Sequence, residues 1–234
     1  MYLIKHPDGK KKRHFLKRTL AAIAVNTSGL ALIEFAYALP LLLGVGMYGA
    51  EVANIAMVRM RVNQISMHAA DNAARIGEGA LLTQKKIYES DINDLFIGAD
   101  LQAGDYVDIF EHGRVIISSL ERHSDGGQYI NWQRCKGKKT HVSSYGTAGV
   151  NSPSRPVTGM GPVGARVTAP ANQAVIFVEI SYDYQPLIAR TFTKTRTITT
   201  RAAFNVRDRR DLSQIYNRTG SDPVSSCNTY SGIS

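Results

Sequence analysis

The chain has 234 residues, of which 44% are hydrophobic and 8% aromatic, and a formal net charge of +9. That apolar content excludes a wholly disordered polymer, and the length suffices for one ordinary core or two small ones. The charge is localised: Lys5, Lys10, Lys11, Lys12, Arg13, Lys17 and Arg18 crowd the segment before residue 20, where Asp8 is the sole acid.

Taken alone, "KKKRHF" suits a nucleic-acid contact, but its position supplies a sufficient other reason for the charge. From Leu30 to Ala50 the only charged residue is Glu34. A helix of about 21 residues rising about 1.5 Å each covers roughly 30 Å, the thickness of a bilayer core. The positive-inside rule then keeps the basic leader in the cytoplasm and puts the rest of the chain outside. A conventional secretory signal fits less well, because its apolar region runs only about 7 to 15 residues. Counted from Leu20, the apolar stretch is interrupted by the polar "NTSG" at Asn26 to Gly29. Removal of everything through Gly29 leaves a span of the right length, with Leu30 as its first residue and Glu34 as its fifth.

A basic leader ending in Gly, then four residues, then Glu and an aromatic at the start of a membrane helix, resembles the processing site of type IV pilin-like precursors. More narrowly, "GLALIEFAYALPLLL" is similar to the TadE family of pseudopilins from the tight-adherence (Flp) pilus system, in which a Glu-aromatic pair precedes "ALxLP". That site is usually written with Tyr after Glu, where this chain has Phe35. "VEISYDYQPLI" and "AAFNVRDRRDLSQIYN" also look like family sequence. The resemblance implies cleavage between Gly29 and Leu30 by a prepilin peptidase, and an assembly role for Glu34 and Phe35. It implies as partners other Tad pilins and pseudopilins, the Tad inner-membrane assembly platform and membrane lipid. Localisation follows as the bacterial inner membrane, with a periplasmic C-terminal domain and incorporation into the pilus left open.

The chemistry at Glu34 has its own logic. A charged side chain near the centre of a membrane helix costs about 2.5 to 3.5 kcal/mol, so it faces a partner, a cavity or the interface. Cleavage after Gly29 creates an α-amino group one helical turn away, and such an amine ordinarily titrates near about 7.7 to 8.0. By the resemblance, Glu34 of one subunit meets the amine of another and aligns their helices. Alternatively, Glu34 only complements the free N–H groups of its own first turn. Pro40 removes one hydrogen bond and predicts a kink near Ala36. "GVGMYG" mimics a dinucleotide loop, but it lies inside the span without a preceding strand. Gly46 and Ala50 have the small-xxx-small spacing that permits close helix packing.

Beyond the span, Ile55, Val58, Val62, Ile65 and Ala69 form the stripe of an amphipathic helix, surrounded by Glu51, Asn54, Arg59, Arg61, Asn63 and Gln64. It packs either on the chain's own external domain or on other subunits. Gly77 and Gly79 stop it, and a second helix is expected from Thr83 to Phe96 with Tyr88, Ile92 and Leu95 on one face. After Gly98, "DYVDIF", "RVIISSL", "YINWQR", "AVIFVEISYDY" and "ARTFTKTRTITTRAAF" predict strands, with a Gly/Pro-rich loop at 146–170. The expected architecture is α+β: a transmembrane helix at 30–50, its amphipathic extension and the second helix to 97, then an external antiparallel β domain over 98–205. A polar tail, 206–234, is anchored by Leu212 and Tyr216.

Cys135 and Cys227 are the only cysteines, both on the outer side, where they form a disulfide or remain two thiols. No metal or cofactor is expected, since no Cys or His spacing suits a metal and no phosphate loop occurs. His123, Ser124 and Asp125 are adjacent, so their side chains diverge, and "HSDGG" reads as a turn. Asp105, Asp108 and Glu111 read as solvated residues of a strand edge rather than an acid and base pair. With no catalytic constellation and no nucleic-acid role, two classes remain: a processed TadE-like minor pseudopilin acting as a structural component of the pilus, or an unprocessed single-pass inner-membrane protein whose external domain binds a partner.

Overall fold

A computed structural model of the chain describes residues 29–80, 83–149, 158–188 and 196–232, and the chain divides into two units between Val52 and Ala53. The basic leader and the first part of the Thr-rich stretch, 189–195, lie outside the described residues. The architecture is α+β, with a long N-terminal helix, α1 (Leu30–Ala73), and a four-stranded antiparallel sheet. In the first unit every residue of α1 up to Ala50 is exposed, and Pro40 lies inside the helix.

In the second unit, α1 buries the stripe that its three-and-four spacing sets out. Val58, Val62 and Ile65 are at most 3% exposed and join one apolar cluster with Val178, Ile180 and Ile198 of the sheet. The stripe therefore packs on the chain's own domain, and a fully buried Ile or Val contributes about 1.5 to 3 kcal/mol there. Asn54, expected on the polar surround, is instead buried, donating from its amide to the Tyr184 hydroxyl at 2.6 Å and accepting from Tyr106.

The second helix, α2, runs from Glu89 to Val107, later at both ends than the expected Thr83 to Phe96. The segment before it is held by bridges of Lys85 to Arg210 and Tyr88 to Tyr216, so it pairs rather than coils. Gly98 does not break the helix, and Ile92, Phe96, Ala99, Ala103 and Val107 continue its buried face. "DYVDIF" is not a strand: it comprises the end of α2 and a short helix, α3 (Ile109–His112). The alternation there is produced by two backbone breaks, Gly104 at φ 60° and Asp108 at φ 43°, which turn Val107, Ile109 and Phe110 all inward. Asp108 caps α3 through its carboxylate, which accepts from the Glu111 N–H. Asp105, Asp108 and Glu111 thus lie on helix ends rather than a strand edge.

The strands are β1 (Gly113–Arg122), β2 (Gln128–Lys136), β3 (Val175–Asp183) and β4 (Thr197–Asn205), in spatial order β2-β1-β3-β4. "HSDGG" forms the β1–β2 turn, in which Gly126 adopts φ +92° and the Asp125 carboxylate accepts from the Gly127 N–H. Nearly every residue of β1 and β3 is buried because both sheet faces are covered. The helices cover one face. On the other, the Gly/Pro-rich region folds back through the Met160–Val167 bridge, and Met160 and Ala169 pack on Leu120, Val175 and Phe177.

The tail is a strap. Cys135 and Cys227 are joined by a disulfide, the Cys135 N–H donates to the Ser225 carbonyl, and the Gly137 N–H donates to Ser231. Arg114, with no exposed surface, donates to the carbonyls of Gly137, Cys227 and Thr229 and lies over the Tyr230 ring. Arg210 donates to the Ala73 and Ile76 carbonyls, which the end of α1 leaves without helical partners. Burial pulls the Arg210 guanidinium down to about 10.

Gly137 makes the close approach of the end of β2 to the start of β1 feasible. It sits at φ +120°, and a Cβ there would fall 2.2 Å from the Gly113 carbonyl oxygen. Gly137→Ala is therefore expected to destabilise the domain by on the order of 3 kcal/mol, from left-handed strain plus overpacking. A denaturant melt would show this as a lower midpoint at unchanged slope.

Candidate functional site

The segment around the Gly29–Leu30 bond has a simple geometry. Gly29 occupies a tight helical turn, and α1 begins at the very next residue, Leu30. In a helix starting there, the Glu34 N–H is the first to reach a carbonyl within α1, so Glu34 stands one turn inside the end that carries unsatisfied N–H groups. The Glu34 side chain is exposed, flanked by Leu30 and Phe35, which are 56% and 60% exposed. A carboxylate within the first turn would gain about 0.3 to 1 kcal/mol from the positive end of the helix dipole, and Glu34, at the fifth position, gains less than that.

The same helix carries an apolar surface that continues with Leu32, Tyr37, Leu41, Leu42 and Val45. An apolar surface of this extent requires lipid or other protein to cover it. By length and composition α1 is able to cross a membrane, and it is the one such helix among the described residues. Gly46 and Ala50 lie one turn apart, and a Cβ at Gly44, Gly46 or Gly49 would meet nothing within 4 Å. Among the described residues no packing demands those glycines.

The second unit contains buried polar groups that sequence reasoning missed. Glu179, 1% exposed in mid-β3, accepts from the hydroxyls of Ser143 and Ser144 and the Ser144 N–H, with His141 Nε2 at 3.3 Å. Its carboxylate is saturated by donors, and Ser144 bonds to the acid rather than to His141, so the trio pins a loop to the sheet instead of activating a nucleophile. The signal was visible as an acidic residue inside the apolar run "AVIFVEIS". Glu121 is similar, accepting from Ser119, Tyr129 and Asn131, while burial pushes its carboxyl up. Glu89, at the start of α2, takes both Nε and Nη2 of Arg134.

A groove of about 520 Å³ lies between the end of α1 and α2, lined among others by Arg75, Glu78, Asp91 and Leu95. Of its acids, Glu78 is engaged by Arg218 and Asp91 by the Tyr88 N–H. Among the described residues no cluster of three or more His, Cys, Asp or Glu is arranged to hold a metal. Comparison with family models, with curated proteins and with solved structures finds no match to this chain.

Proposed function

We propose that this chain is a TadE-like minor pseudopilin, a structural subunit in the biogenesis of a tight-adherence pilus. Residues 30–50 anchor it in the bacterial inner membrane, with the basic leader in the cytoplasm and the disulfide-bearing domain in the periplasm. A prepilin peptidase removes the leader after Gly29, and the new amine at Leu30 meets Glu34 of a neighbouring subunit.

One observation carries this reading: a helix begins at the residue following Gly29, is exposed and apolar from Leu30 to Ala50, and bears a single carboxylate in that stretch, at its fifth position. Glycines that no packing among the described residues demands support it further, since small residues let another helix approach closely. The disulfide suits an oxidising compartment.

N-terminal sequencing and intact mass of the membrane-extracted protein test the reading. Coexpression with a prepilin peptidase is expected to yield a chain starting at Leu30, and Gly29→Ala to leave residues 1–29 attached. An intact chain in both cases points to the unprocessed single-pass protein instead.

A further inference from the structure

Strand β4 is an edge of the sheet, and among the described residues no strand pairs with its outer side. The register with β3 fixes which backbone groups face outward. The Tyr184 N–H donates to the Arg196 carbonyl and the Val206 N–H to Ala174, so even-numbered residues of β4 bond to β3. The N–H and C=O groups of Thr199, Arg201 and Ala203 consequently point away from the sheet. None of them has a backbone partner among the described residues.

The open edge forms the floor of a slot of about 400 Å³. Even-numbered side chains face α1, where the Thr200 hydroxyl approaches the Val62 carbonyl and Asn63 lines one wall. Odd-numbered side chains face the folded-back loop, whose Gly161 and Pro162 line the other wall. A slot with an unpaired ladder as its floor and walls on both sheet faces has the dimensions and chemistry to take an extended peptide.

Charge defines the occupant. From Arg196 to Arg210 the chain carries five arginines against one aspartate. Arg196, Arg201 and Arg209 are exposed and form no ion pair among the described residues, with Arg201 lying over the Tyr145 ring at 5.5 Å. The acids nearest the strand are already engaged: Asp183 by Lys139 and Thr197, and Glu179 by Ser143 and Ser144. A second copy of β4 would set one basic edge against another, which like charges oppose. We propose that the outer edge of β4 docks an acidic extended segment of a different protein, which joins the sheet as a fifth strand. The proposal holds whether or not the leader is removed.

Residue-resolved hydrogen exchange on the full chain tests it, comparing host membranes with dilute protein purified in detergent. The amides of Thr199, Arg201 and Ala203 are expected to exchange at least tenfold more slowly in the membranes, and the protection to fall as salt is raised. Arg201→Glu abolishes that protection while Arg201→Lys retains it. Thr199→Pro abolishes it too, because the Thr199 N–H is not part of the β3 ladder. Unchanged exchange of the β1 and β3 amides shows that each variant is folded. Fast exchange of the three amides in both settings overturns the proposal. Slow exchange in the dilute purified protein also overturns it: concentration-dependent protection assigns the edge to a second copy, and concentration-independent protection to the chain itself.

Discussion

Glu34→Gln is expected to leave processing intact and reduce incorporation of the subunit into pilus assemblies more than tenfold. The neutral side chain removes the roughly 2.5 to 3.5 kcal/mol that a charge costs within a span, so anchoring in the membrane does not suffer. What disappears is the proposed attraction to the amine of a neighbour. Close charge pairs across interfaces couple by about 1.5 to 7 kcal/mol, and each 1.4 kcal/mol is a factor of ten in association. If Glu34 only complemented its own helix dipole, the loss would be at most about 1 kcal/mol and assembly would scarcely change. Co-sedimentation of the subunit with sheared fibres or with the assembly platform, alongside N-terminal sequencing, separates the two. Normal co-sedimentation of correctly cleaved Glu34→Gln protein excludes the assembly role. Glu34→Asp keeps the charge but shortens its reach, and is expected to fall between the wild type and Gln.

The elements legible in the sequence are those whose residues state their environment locally. The run from Leu30 to Ala50 has one charge, and α1 there is exposed throughout. "RVIISSL" and "AVIFVEIS" are dense in β-branched residues and form the two central strands. The stripe from Val58 to Ala69 repeats at helical spacing, although only the cluster with Val178 and Ile180 decides that it packs within its own chain. Where local pattern and tertiary context conflict, context wins. "DYVDIF" alternates like a strand, yet the left-handed Gly104 and Asp108 turn its apolar residues inward from helical segments. Gly98 reads as a breaker but lies in a helix held by the buried faces of Phe96 and Ala99. Arg114 and Glu179 were the least legible, because their partners are distant: Arg114 reaches the carbonyls of Cys227 and Thr229, and Glu179 reaches Ser143 and Ser144. The proposed N-terminal site lies within seven positions, Gly29 to Phe35, so it is a purely local pattern that no distant partner has to complete.

Cys227→Ser is expected to lower the stability of the second unit by about 2 to 5 kcal/mol, a large share of the roughly 5 to 15 kcal/mol typical of a folded domain. The bridge closes a loop of 92 residues, for which the chain-entropy limit is about 4 to 5 kcal/mol. The strap does not fray freely once it is cut, because Arg114 is fully buried and its two terminal nitrogens donate to the Thr229 and Cys227 carbonyls of the strap. Withdrawal of the strap strands that charge, and an unpaired buried charge costs several kcal/mol. The tail from Ser225 to Ser231 and the end of β2 are thus expected to open together, rather than the tail alone. Thermal melts of the full chain in detergent should show a drop of roughly 10 °C, given about 2 to 4 °C per kcal/mol for a domain of this size. Hydrogen exchange adds a sharper criterion. In Cys227→Ser, amides at Cys135 and Gly137 lose protection in step with one another, while those of β3 keep theirs. Combining Cys227→Ser with Arg114→Met removes both the staple and the charge that holds the strap, so tail opening becomes cheaper than in the single variant. A double variant that keeps its tail as protected as Cys227→Ser alone would show that Arg114 does not hold the strap.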